Sequence, residues 1–208
     1  MKRGFPILAV VTALLLSFAL YEALIVAPTE QTMGNVQRIF YYHVPSAWTA
    51  FLLFAINFVA STLYLINRSE KADILALVSA EVGVVFCTVV LITGPIWARP
   101  VWGIWWTWDL RLTLTLVLWL IYVSYLLLRR FSTGGKTPTI AAVVAIFGAL
   151  DVPLVYFSIW FFRTQHPSPV IGGGGSLDPR MAHVLLAKDD ESVAARGDHQ
   201  VAGLVDQR

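Results

Sequence analysis

The chain has 208 residues, 57% of them hydrophobic and only 13% charged, where a soluble domain carries about 25% charge. That excess makes the bilayer the solvent for much of the chain. A formal net charge of +2, without a basic patch interleaved with aromatics, excludes nucleic acid as a partner, and a single cysteine, Cys87, excludes an internal disulfide.

A membrane-spanning helix takes roughly 20 apolar residues. The first run covers residues 5–27 behind Lys2 and Arg3; it is too long for a signal-peptide core and has no small-x-small cleavage site before Pro28, so it reads as a retained span. Further runs cover about 48–66, 74–93, 112–128 and 140–162. A sixth starts at Met181 and stops at the charged stretch 188–191. The predicted fold is all-α: a polytopic transmembrane helix bundle with five full spans and an incomplete sixth. Residues 1–187 form the membrane domain. Residues 188–208 form a polar tail, expected to be disordered and to stay on the outer side, because its charges would cost several kcal/mol in hydrocarbon.

Lys and Arg in the short connections favour the inner side. Lys2, Arg3, Arg68, Lys71, Arg129, Arg130 and Lys136 then face inward, against Arg38, Arg99, Arg111, Arg163 and Arg180 outward. The N-terminus is therefore inside, and segments 28–47, 94–111 and 163–180 share the outer face. Among the inner connections, Gly134-Gly135-Lys136-Thr137 resembles the end of a phosphate-binding loop. The first glycine of that loop is missing, so the segment reads as a flexible turn.

The outer segment 94–109, Gly-Pro-Ile-Trp-Ala-Arg-Pro-Val-Trp-Gly-Ile-Trp-Trp-Thr-Trp-Asp, concentrates Trp97, Trp102, Trp105, Trp106 and Trp108. Interfacial Trp usually forms a belt at headgroup level, but a belt is scattered over several helix ends. Belt and flat-ligand platform stand level on composition. The spacing of Trp102, Trp105 and Trp106 predicts one helical turn with a shared face. Asp109 suits an N-cap for the fourth helix. Arg99 and Arg111 suit lipid headgroups by snorkelling, or the carboxylates of a ligand through the guanidinium fork.

Four histidines remain. His43 precedes the second run and His166 follows the fifth, so both belong to outer segments; His183 lies in the incipient sixth run and His199 in the tail. One interfacial His is usually only polar trim. Two of them, with an aromatic platform in the third outer segment, point to axial ligation of iron by neutral imidazole. With one cysteine there is no C-x-x-C-H attachment site, so such a haem is b-type and held non-covalently.

Residues 93–113, Thr-Gly-Pro-Ile-Trp-Ala-Arg-Pro-Val-Trp-Gly-Ile-Trp-Trp-Thr-Trp-Asp-Leu-Arg-Leu-Thr, resemble the tryptophan-rich "WWD" signature of haem-handling proteins. The continuation Asp109-Leu-Arg-Leu-Thr113 is similar to the version in the CcmC family, the haem-delivery component of cytochrome c maturation system I. System II relatives carry a D-P-K-E-T-like continuation instead. Residues 38–48 and 161–167 resemble that family's two histidine loops, and the likeness runs from about residue 5 to residue 187.

The resemblance implies haem held at the outer surface of a bacterial inner membrane, with His43 and His166 as axial ligands. Trp97, Trp102, Trp105, Trp106, Trp108 and Asp109 would form the platform, and Arg38 and Arg111 would sit near the propionates. It implies transport and delivery, with at most a lyase-like assisting role in haem attachment to the recipient. The implied partners are a periplasmic haem chaperone of the CcmE type, a small CcmD-type membrane protein, a CcmA/CcmB-type ABC transporter and membrane lipid. The family has six spans, so the end of this chain departs from it, and the loop bearing His166 would lose its second anchor.

Three other readings stay open. A b-type electron-transfer subunit would place its histidines within spans. An anion permease would use Arg99 and Arg111 with Glu22, Asn57 and Glu81 in the apolar runs. A system II-type haem exporter and cytochrome c synthetase would work through a partner with a large outer domain.

Overall fold

The structure is a computed structural model and describes residues 4–30, 33–162 and 166. Among these there are five helical stretches long and apolar enough to cross a membrane. The chain divides into two compact units, one containing Met1–Arg38 and the other Ile39–Pro167. The incipient sixth span, His183, His199 and the polar tail lie outside the described residues.

In the first unit, helix α1 (Gly4–Tyr21) runs into a π-helical turn, Glu22–Val26. A helix end leaves its last carbonyls without intrahelical donors. Here Ala27 N–H donates to Glu22 O at 2.8 Å. Arg38, from the 3-10 turn Asn35–Ile39, donates through Nη1 to Ala23 O at 3.0 Å and to Leu24 O, and through Nη2 to Ala27 O at 3.1 Å.

The second unit holds α2 (Phe40–Asn67), α3 (Glu70–Trp102), α4 (Leu110–Phe131), α5 (Thr137–Ala149) and α6 (Asp151–Phe161). Local chemistry explains most boundaries. Arg68 closes α2 in the left-handed region (φ 55), its N–H donating to Tyr64 O at 2.9 Å. Ser69 caps α3 in extended conformation, with Glu70 and Asp73 in the first turn, where the helix dipole favours acidic side chains. Gly103 ends α3 at φ 80 with its N–H on Arg99 O, a helix stop that glycine alone makes without steric cost. Pro138 in the first turn of α5 needs no intrahelical partner for its nitrogen. The segment Gly134-Gly135-Lys136 is a turn, held by Thr137 N–H on Gly134 O at 2.9 Å.

Three boundaries depart from the sequence expectation. Helix α2 starts at Phe40 and carries Pro45 in its second turn, rather than beginning near Trp48. Pro45 cannot donate to the carbonyl four residues before it, and the helix continues past it nonetheless. Helix α3 runs through Pro95 and Pro100 to Trp102, so most of the expected outer loop is helical. Burial of Trp97 and Ala98 holds this extension against the bundle. The fifth run is two helices, broken at Leu150, because Pro153 has no N–H for the carbonyl of Ala149.

Helices α2 and α3 pack antiparallel, and Gly83 sets their approach: a Cβ there would lie 2.7 Å from Phe54 Cε1. Gly148 of α5 does the same against Ile121 of α4, also at 2.7 Å. Small residues are the usual means of close contact between spans, where lipid supplies no hydrophobic drive. Phe54 stacks on Tyr122 at 3.9 Å between centroids. Buried Asn57 donates to Ala76 O at 2.6 Å, and Tyr122 Oη lies 3.4 Å from Asn57 Oδ1 and 3.3 Å from Ala145 O. At one end of this unit Arg129 forks onto Asp73, with Nη2 to Oδ2 at 2.7 Å, joining the end of α4 to the start of α3.

Candidate functional site

The opposite end gathers the start of α2, the end of α3, the connection to α4, and His166. Phe40 meets Trp97 at 5.0 Å between centroids, and His43 Nδ1 lies 2.8 Å from Thr93 Oγ1. The two contacts are one helical turn apart on each helix, so one antiparallel register places both. His43 is therefore a helical residue in the first turns of α2, not a loop residue, and it is half-buried.

His166, beyond the end of α6, lies beside His43. The two imidazole centroids are 6.5 Å apart with their planes 33° apart. A metal–imidazole bond of about 2.0–2.1 Å and roughly 1.1 Å from that nitrogen to the ring centre would separate two axial imidazoles by about 6.3 Å. The pair is thus spaced for one metal atom between the rings. Among the described residues no three His, Cys, Asp or Glu side chains gather as a metal cage, and a porphyrin-bound iron asks the protein only for axial ligands.

The tryptophans do not share one helical face, which corrects the sequence expectation. Helix α3 stops at Trp102, and Trp105 and Trp106 follow in irregular backbone because Gly103 turns the chain away. They instead form two edge-to-face pairs, Trp97 with Trp102 at 5.0 Å and Trp106 with Trp108 at 5.8 Å. Trp97 is buried and acts as a support, whereas Trp105 and Trp108 are 59% and 76% exposed. Asp109 is the N-cap of α4, as its position suggested, accepting from Leu112 N–H at 3.0 Å, and Thr107 Oγ1 donates to Asp109 Oδ2 at 3.3 Å. The capped junction fixes the chain that presents Trp106 and Trp108.

The arginines divide. Arg111, in the first turn of α4, lies within electrostatic reach of His43, Asp109 and Tyr156. Its Nη1 is buried with no hydrogen-bond partner among the described residues, as are Trp97 Nε1, Trp106 Nε1, Thr113 Oγ1 and Tyr42 Oη. Arg38 belongs to the other unit. Its Nε also donates, to Asn35 Oδ1 at 3.3 Å, so four of the five guanidinium N–H groups have acceptors. Arg99 donates to Gly103 O at the end of its own helix. Of the polar span residues, Asn57 is a packed structural node and Glu81 is exposed on α3.

Thr93 was not singled out from the sequence, although it opens the tryptophan motif. A threonine in an apolar run carries no signal by itself; only the pairing of α2 with α3 puts it beside His43.

A family model described as "Heme exporter protein C", CcmC, matches residues 1–189. The chain is 36% identical over 187 residues to a Heme exporter protein C of Bradyrhizobium diazoefficiens, covering 88% of this chain and 71% of that protein. It is 32% identical over 181 residues to Heme exporter protein C of Escherichia coli K12, covering 86% and 74%. It is also 32% identical over 164 residues to a ccmC-like mitochondrial protein of cytochrome c biosynthesis from Marchantia polymorpha, covering 78% and 70%. The family model spans His43, the tryptophan segment and His166, and the chain belongs to the CcmC family.

Proposed function

We propose that this protein binds haem b non-covalently at the tryptophan-rich end of its bundle and delivers it to a periplasmic haem chaperone of the CcmE type during cytochrome c maturation. The observation that carries the reading is the His43–His166 pair, whose 6.5 Å centroid separation suits two axial ligands on one iron. In this reading the end in question is the outer face of a bacterial inner membrane, with the N-terminus cytoplasmic.

Haem is the cargo, and each neighbouring residue has a task toward it. His43 and His166 hold the iron. Trp105 and Trp108, exposed, offer an apolar surface to the macrocycle. Trp97, Trp102 and Trp106 back that surface, and Asp109 fixes its junction with α4. Arg111 has an unpartnered buried N–H to give to a propionate, a charge-assisted bond stronger than its neutral counterpart. Arg38 has most of its donors engaged within its own unit. An open platform serves delivery, because an enclosed haem could not be handed on. A CcmD-type small protein and a CcmA/CcmB-type transporter would complete the assembly.

The test is the haem spectrum of the purified protein together with haem loading of a co-expressed chaperone. His43→Ala and His166→Ala should each lose most of the bound haem and the loading, while His199→Ala keeps both. Unchanged spectra in both single variants would reject the ligand pair and direct attention to His183. Turnover with a quinol, without chaperone loading, would favour the electron-transfer reading.

A further inference from the structure

We infer that Thr93 is a positioning residue for the iron ligand: its hydroxyl oxygen accepts a hydrogen bond from His43 Nδ1–H, fixing the imidazole in the tautomer whose Nε2 carries the free lone pair. The inference rests on His43 being a ligand, and its test separates the two.

The argument is one of proton counting. A threonine hydroxyl has one hydrogen to give and two lone pairs to accept with. Thr93 Oγ1 lies 2.7 Å from Val89 O in its own helix, and 3.4 Å from Val90 O. A carbonyl oxygen can only accept, so the hydroxyl proton is committed to it. What Oγ1 then presents to His43, at 2.8 Å, is a lone pair, and the imidazole must supply the proton at Nδ1. In a neutral imidazole that leaves Nε2 unprotonated, the form that binds metal.

The same helix contains an internal precedent. Thr88 Oγ1 donates to Val84 O at 2.7 Å, and Trp119 Nε1 donates to Thr88 Oγ1 at 2.8 Å. An indole N–H is a donor only, so the direction there is unambiguous. In both places a threonine back-bonds to the carbonyl four residues before it and turns its oxygen toward a ring nitrogen of a neighbouring helix. Gly94 completes the seat for His43: a Cβ there would stand 3.5 Å from Cε1, so the α3 backbone lies close along the ring edge. With Nδ1 tied to α3, the ring cannot spin about its χ2 bond to present the other nitrogen.

A partner of this kind orients the ligand and raises its basicity, and its loss typically costs 10–100-fold in metal affinity. Thr93→Val keeps the shape and removes the acceptor. It should weaken haem binding by about tenfold or more, and shift the haem midpoint potential to more positive values, because a less basic imidazole stabilises ferric iron less. The low-frequency iron–histidine Raman band should move as well. Thr93→Ser should restore all three, and Thr88→Val, which removes the acceptor of Trp119, should leave potential and band unchanged.

The inference is overturned if Thr93→Val keeps the wild-type potential and band, if Thr93→Ser fails as Thr93→Val does, or if Thr88→Val copies the defect. Should Thr93→Val not assemble, ¹⁵N-histidine NMR of the unmodified haem-free protein reads the tautomer directly. A protonated Nδ1 on His43 supports the assignment, and a protonated Nε2 overturns it. If His43→Ala leaves the haem spectrum intact, the ligand reading itself fails; if His43→Ala removes the spectrum while Thr93→Val changes nothing, only the role of Thr93 fails.

Discussion

Around Asn57, in the middle of the Ile39–Pro167 unit, the amide donates to Ala76 O and the Tyr122 hydroxyl lies between Asn57 and Ala145 O, although Ser61 Oγ and Tyr125 Oη nearby are buried with no partner among the described residues. At the tryptophan-rich end of the same unit such groups are more numerous. Arg111 Nη1, Thr113 Oγ1, Tyr42 Oη and the indole nitrogens of Trp97 and Trp106 are buried with no partner among the described residues. An unsatisfied buried polar group costs about 1–3 kcal/mol. The centre is packed against itself. At the tryptophan-rich end the groups left over among the described residues are N–H donors and hydroxyls.

The sharpest way to break this contrast is to disturb the centre alone. Gly83→Ala puts a methyl group 2.7 Å from Phe54 Cε1, and Phe54 cannot retreat, being fully buried and stacked on Tyr122. Overpacking of this kind costs about 1–3 kcal/mol. The expected outcome is a lower unfolding temperature in detergent, with haem lost only as the fold is lost. The second-site change Phe54→Leu should recover both. A Gly83→Ala protein that keeps its stability but loses haem would show that the two regions are not separable.

This division also sorts what sequence patterning could reach. The apolar runs located the five helical stretches long and apolar enough to cross a membrane, since a run of about twenty apolar residues is the signature of a span. The tryptophans, Asp109 and the two histidines stood out because their residue types are costly or unusual at a membrane interface. Helix ends were less accessible. Patterning starts the second run at about 48 and ends the third at 93, yet the helices pass through Pro45, Pro95 and Pro100; at the last two, burial of Trp97 and Ala98 outweighs a local backbone preference. The π-helical turn at Glu22–Val26 and the Thr93–His43 pairing had no signature at all. Both depend on residues far apart in sequence: Arg38 with the carbonyls of Ala23 and Ala27, and Thr93 fifty positions from His43.

A smaller effect is expected at the polar node. Asn57→Leu removes the amide while Tyr122 keeps Ala145 O as acceptor, so no hydroxyl is stranded. Interhelical hydrogen bonds in membranes average about 0.6 kcal/mol and reach about 1.7. The variant should therefore unfold slightly earlier and bind haem as before. An anion permease lined by Asn57 would instead lose transport with its stability intact, which makes this one substitution a discriminator as well as a measure of the node.

The smallest structural effect, and the most selective functional one, belongs to the platform. Trp105 is 59% exposed and makes none of the ring pairs that hold Trp97, Trp102, Trp106 and Trp108. Trp105→Ala should change stability by no more than about 0.5 kcal/mol, as surface substitutions do. Asp109→Ala loses its bond to Leu112 N–H and costs about 1 kcal/mol as a lost helix cap; Asp109→Asn keeps an acceptor there and isolates the charge from the cap. In each of these variants the histidine pair is untouched, so haem should copurify at near-normal level. Presentation of the haem edge depends on the platform, so loading of the chaperone should fall severalfold. The two quantities, bound haem and haem passed on, are measured on the same preparations. If they fall in proportion in every variant, the tryptophans and Asp109 serve retention rather than transfer, and the open end of the bundle is a binding pocket in the ordinary sense.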